Sequence, residues 1–91
     1  MNYYVVSYDL IDEKDYPKIQ NAINSVSYDW VRPLLSFFVI KTTWERESIM
    51  RKLMAATDKD DKIFLVECDI DTWLSVNVSQ QAVDRLHAWR M

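Results

Sequence analysis

A chain of 91 residues, 49% apolar, with no glycine, one cysteine, one histidine and a net charge of −3, excludes much before any motif is sought. Without glycine there is no Walker loop, dinucleotide fingerprint or nucleophile elbow, each of which needs glycine's backbone freedom. Cys68 alone cannot form an intrachain disulfide or a cysteine zinc site, and His87 alone cannot form an HExxH cluster, so carboxylates and a metal are the remaining means of catalysis.

The length predicts a single domain spanning residues 1–91. Four Trp, five Tyr and three Phe are a heavy apolar load for so short a chain, and predict that leftover surface is buried against a second subunit. The acidic balance argues against a generally basic nucleic-acid binder but leaves room for a local basic stripe. No apolar run reaches about eighteen residues and no leader pattern is visible, so no membrane contact and a cytoplasmic location are expected.

The first predicted strand, Asn2 to Asp9, is apolar at both parities, as in a central strand covered on two faces. Beyond its tip come Asp12, Glu13 and Asp15, close enough to repel unless solvent, Lys14 or a cation relieves them. Asp15 is placed to cap a helix from Tyr16 to about Ser25, with Pro17 tolerated in its first turn and Tyr16, Ile19, Ile23 and Val26 on one stripe. Tyr28 to Arg32 reads as a short strand that Pro33 confines to an edge or a bend.

Leu35 to Lys41 is a second two-faced strand. Thr42 to Glu45 matches a capping box for a helix from Trp44 to about Ala56, burying Ile49 or Met50 with Leu53 and Met54, and with Glu47 and Arg51 as an i,i+4 pair. Asp58 to Asp61 is a polar connection, and Ile63 to Cys68 a third strong strand in which Cys68 reads as a small core residue. Trp73 to Val78 alternates as a short extra strand would, and Ser79 can cap a last helix from Gln80 to Trp89. The expected fold is therefore α+β, ferredoxin-like βαββαβ with an antiparallel sheet, plus a C-terminal short strand and helix. Two helices cover one sheet face in this topology, so the second apolar face must be buried too; the C-terminal segment can cover part of it, and a twofold-related subunit packed sheet to sheet predicts a homodimer.

Four stretches in order, "YVVSYDL", "SFFVIKT", "DDKIFLVECD" and the "TWL" tail before a Trp-bearing helix, resemble the second CRISPR-associated protein family (Cas-two), in particular its short members. The resemblance covers nearly the whole chain. It implies a ferredoxin-like homodimer, often with a C-terminal strand crossing to the partner, in which Asp9 and its twofold copy share a magnesium or manganese ion. It further implies an endoribonuclease or endodeoxyribonuclease, or a non-catalytic scaffold for spacer integration. Two positions depart from the family's pattern. Lys14 and Lys18 stand where a basic arginine pair is common, and Val39 where an acidic residue often closes the Ser-x-Phe motif.

On the metal reading Asp9 is the catalytic carboxylate, Asp12 and Glu13 hold metal-bound waters, and Ser7 or Tyr8 orients the phosphate. On the alternative, Asp9 ends the strand by bonding turn amides, and the later acids serve the positive end of the first helix. Lys14, Lys18, Arg32, Lys41 and Arg46 are the candidate RNA or DNA contacts, with Tyr28, Trp30 and Arg32 sharing a strand face. Two functions follow. One is a Cas-two-like homodimer acting on nucleic acid through paired Asp9. The other is a catalytically inactive module that binds a protein partner, such as a toxin–antitoxin component or a phage- or plasmid-borne modulator of defence.

Overall fold

The computed structural model describes every residue except Glu13, Lys14 and Met91. In chain order it contains β1 (Asn2–Asp9), α1 (Tyr16–Val26), β2 (Asp29–Leu34), β3 (Phe37–Thr42), α2 (Arg46–Met54), β4 (Lys62–Glu67) and α3 (Gln80–Ala88). The strands form one antiparallel sheet in the order β2-β3-β1-β4. This is the expected ferredoxin-like α+β arrangement with a third helix appended.

The two-faced reading of β1 holds because each parity meets a different cover. Tyr4, Val6 and Tyr8, with Phe38 and Ile40 of β3, pack against Ile19, Ile23 and Val26 of α1 and Ile49 and Leu53 of α2. On the other side Val31 and Val39 pack against Ala82 and Leu86 of α3 and Ile70, with Tyr3, Val5, Trp73, Val78 and Trp89 partly buried around them. Asp29 fastens α3 to β2, since its carboxylate accepts from the Arg85 guanidinium and, at 3.1 Å, from Trp89 Nε1. The cover is incomplete over β4, where Phe64 and Val66 are 67% and 43% exposed.

Several boundaries move for identifiable reasons. Thr42 does not cap α2. It ends β3 fully buried, its hydroxyl donating to the Val26 carbonyl while accepting the Trp44 N–H at 3.0 Å, so the helix begins at Arg46. The buried stripe of α2 is Ile49 and Leu53, and Met54 turns outward at 62% exposure. Glu47 pairs with Arg46 at 2.7 Å, while Arg51 donates to Ser48. Asp15 stands at the start of α1 without capping it through its side chain.

The expected strand at Trp73–Val78 is absent: the segment is irregular, with Leu74 and Val76 exposed and Asn77 at φ 60°. Pro33 lies inside β2, at a sheet edge and within the register shift between Val31 and Leu34. The turn into β3 needs a left-handed residue, and with no glycine in the chain Ser36 takes it, at φ 56°. Its carbonyl accepts the Tyr8 N–H at 3.1 Å and the Ser7 hydroxyl at 3.3 Å, which holds the turn against β1. None of the described helices is long and apolar enough to cross a membrane.

Candidate functional site

Strand alternation places Asp9 on the α3 side of the sheet, in line with Val5 and Ser7 and opposite Lys62 in the β1–β4 register. It is exposed at the β1 tip, in a shallow depression shared with Ser7, Lys62 and Phe64, and makes no ion pair among the described residues. α3 lies over β2 and β3, so the Asp9 corner stays open beside the exposed Phe64 ring.

The supporting residues named from sequence do not all gather there. Ser7 shares Asp9's face, yet its hydroxyl is committed to the Ser36 carbonyl. Tyr8 points to the opposite face, 5% exposed, with its ring against Tyr16 at 5.7 Å and Phe38 at 6.2 Å. Its hydroxyl is buried without a well-formed hydrogen bond, although the Gln20 amide stands near, and burial pushes its pKa up. The Tyr8 side chain therefore belongs to the core, on the face opposite the Asp9 carboxylate. Asp12 is exposed, and its carbonyl accepts the Asp15 N–H at 3.0 Å. Glu13 and Lys14 lie outside the described residues.

The acids regroup in a way the sequence did not suggest. Carboxylate oxygens of Asp15, Asp58 and Asp61 lie within 4.8 Å of one another, where the turn before β4 meets the start of α1. Asp61 closes that turn by accepting the Asp58 N–H at 2.8 Å and reaches across to the Ile11 N–H at 2.9 Å. Lost hydration and then the Asp58 charge push the Asp15 carboxyl above its ordinary range, with Lys18, 3.9 Å away, partly opposing them. The linear signal was available in the two acidic segments. Their meeting was not, because it depends on the β1–β4 pairing that brings residues 50 apart in sequence into contact.

The basic candidates do not form one surface. Arg32 lies over the Phe38 ring at 6.0 Å, Lys41 over the Tyr28 ring at 5.6 Å, and Arg46 is held by Glu47. Lys41 pairs in register with Tyr3, six residues along β1 from Asp9, which separates them by about 20 Å. Trp30 and Arg32 do share a face, both against Phe38. Cys68 is half-buried, and burial with Asp69 and Glu67 nearby pushes its thiol pKa up, against the needs of a nucleophile.

Comparison with protein-family models, curated proteins and solved structures gives no significant match. The fold and the arrangement of side chains carry the functional argument.

Proposed function

We propose that this chain acts on nucleic acid as a homodimer, as a metal-dependent phosphodiesterase in which each subunit contributes Asp9. The observation that carries the reading is the position of Asp9: an exposed carboxylate at the tip of a central strand, on the incompletely covered sheet face, beside the exposed Phe64. An isologous contact whose twofold axis passes beside that corner brings two Asp9 tips together.

Magnesium or manganese fits such a pair in donor type, since hard cations take carboxylate oxygens and fill the remaining positions with water and substrate phosphate. The ion supplies charge stabilisation and an activated water. Asp9 holds it, Lys62 across the strand pair offers a cation to the phosphate, and Phe64 excludes water from one side. Ser7 and Tyr8 have no part in binding, because one hydroxyl is engaged and the other is enclosed.

The test is cleavage of labelled RNA and DNA with and without magnesium or manganese, by wild type and Asp9→Ala at matched dimer content. Cleavage that needs the ion and is lost in the variant supports the reading. No cleavage, or equal cleavage by both proteins, refutes it and leaves the second reading, a catalytically silent protein-binding module. That alternative draws on the exposed Leu34, Leu35, Leu74 and Val76 and on the scattered cations.

A further inference from the structure

β2 is an edge strand, paired only to β3. Along it runs a groove of about 580 Å³ that touches Trp30, Val31 and Arg32 in succession. Neighbouring strand residues point to opposite faces, and the Val31 side chain is 2% exposed in the α3-side core. A cavity that meets all three lies along the strand's outer edge, where backbone N–H and C=O groups have no neighbouring strand, although the Trp30 N–H already donates to the Asp29 carboxylate at 2.9 Å. Asn21 and Asn24 of α1 form one wall, and Gln81 and Arg85 of α3 the other.

We propose that this recessed edge binds an extended acidic segment of a protein partner, adding it to the sheet as a fifth strand. Backbone hydrogen bonds along a free edge supply affinity without regard to sequence, and the walls read alternate side chains. Three edge residues span about 10 Å, room for a strand of three or four residues. Pro33, which has no N–H, ends the usable edge.

The charge of the segment follows from Arg32. Its guanidinium lines the groove, is exposed, and makes no ion pair among the described residues. Arg85 is already matched by Asp29. A carboxylate on the incoming strand completes Arg32 through charge-assisted hydrogen bonds. A second copy of this chain does not fit, because its own β2 edge is recessed between the same two helices. A recess takes a lone strand and not another recess. The inference is independent of Asp9, which lies on β1.

The test selects binders of the intact protein from a library of short random peptides, then measures synthetic versions by fluorescence anisotropy. Expected are sequences with an acidic residue at a fixed place, binding that Arg32→Glu weakens roughly tenfold or more, and binding lost when alternate peptide amides are N-methylated. Asn21→Trp, which fills the groove from an exposed position, abolishes it too. Amide chemical-shift changes at Trp30, Val31 and Arg32 in the unmodified protein provide a readout that needs no variant. The proposal is overturned by failure to enrich, by binders indifferent to Arg32→Glu and Asn21→Trp, or by tolerance of N-methylation. Oligothymidylate occupying the groove in place of peptide also overturns it, as does self-association that Asn21→Trp abolishes.

Discussion

Phe64→Ala separates folding from association. The Phe64 side chain is 67% exposed in the isolated subunit. A phenylalanine offers about 200 Å², so roughly 70 Å² is already used in the fold and roughly 130 Å² is left for the proposed dimer contact. At about 25 cal/mol per Å² the folded subunit loses under about 2 kcal/mol on truncation, and the interface loses about 3 kcal/mol per copy. Twofold symmetry doubles the second figure to an upper bound of about 6 kcal/mol, and ordering costs reduce it. Even a third of that bound, about 2 kcal/mol, weakens dimerisation more than tenfold.

Sedimentation equilibrium over a concentration series measures the dimer constant, and urea unfolding measures the subunit. Leu53→Ala is the control with the opposite profile. Leu53 is fully buried on the inner face of α2, so truncation removes about 3 kcal/mol from folding without touching the open face. If Phe64→Ala leaves the dimer constant unchanged, or if wild type stays monomeric throughout, the open face is not the contact and the pairing of Asp9 falls with it.

Three further outcomes are expected. Ser36→Gly relieves the left-handed backbone at φ 56°, worth about 1 kcal/mol before glycine's extra freedom in the unfolded chain is deducted; Ser36→Val destabilises by more than about 1 kcal/mol in thermal unfolding, and equal Tm values for wild type and both variants would count against strain there. Asp15 has a raised folded pKa, so the folded state holds its proton more tightly than the unfolded state, and the contribution to stability is lost as pH climbs above the ordinary 3.8. Asp15→Asn therefore matches wild type in strong acid and gains Tm over it as pH rises to neutral, whereas a pH-independent difference would contradict the sign. Asp29→Ala removes the anchor of Arg85 and Trp89; with the ion pair partly exposed the loss is about 1 kcal/mol, read as faster hydrogen exchange in α3 with β1 amides unaffected.

Strands β1 and β3 were legible because their runs are apolar at both parities, and a double-sided strand needs covers on both faces; β4 was legible as a strong apolar run, although its Phe64 and Val66 face stays open. The helix starts were less so. Thr42 carries a capping signature, but the same hydroxyl satisfies the buried Val26 carbonyl, and a tertiary hydrogen bond outranks a local one. Trp73–Val78 alternates as a strand does, yet it pairs with neither edge of the open sheet, and Leu74 and Val76 remain in solvent. At the site, the exposure of Asp9 follows from its place at a strand tip. Tyr8 sits next to it in sequence, and alternation along the strand sends it into the opposite core. The grouping of Asp15 with Asp58 and Asp61, and the groove along β2, are long-range results that no local pattern encodes.

The unequal covers of the sheet have a consequence for how the molecule comes apart. On one face α1 and α2 seal a large cluster, while on the other a single nine-residue helix closes a small one, tied down chiefly through Asp29. Small clusters open at lower free energy than the whole domain. Release of α3 bares Val31 and Val39 while leaving β1, β3 and their other neighbours paired. The first species expected on heating is then a nearly native sheet stripped of one helix, and anything that clamps α3 in place holds that opening shut.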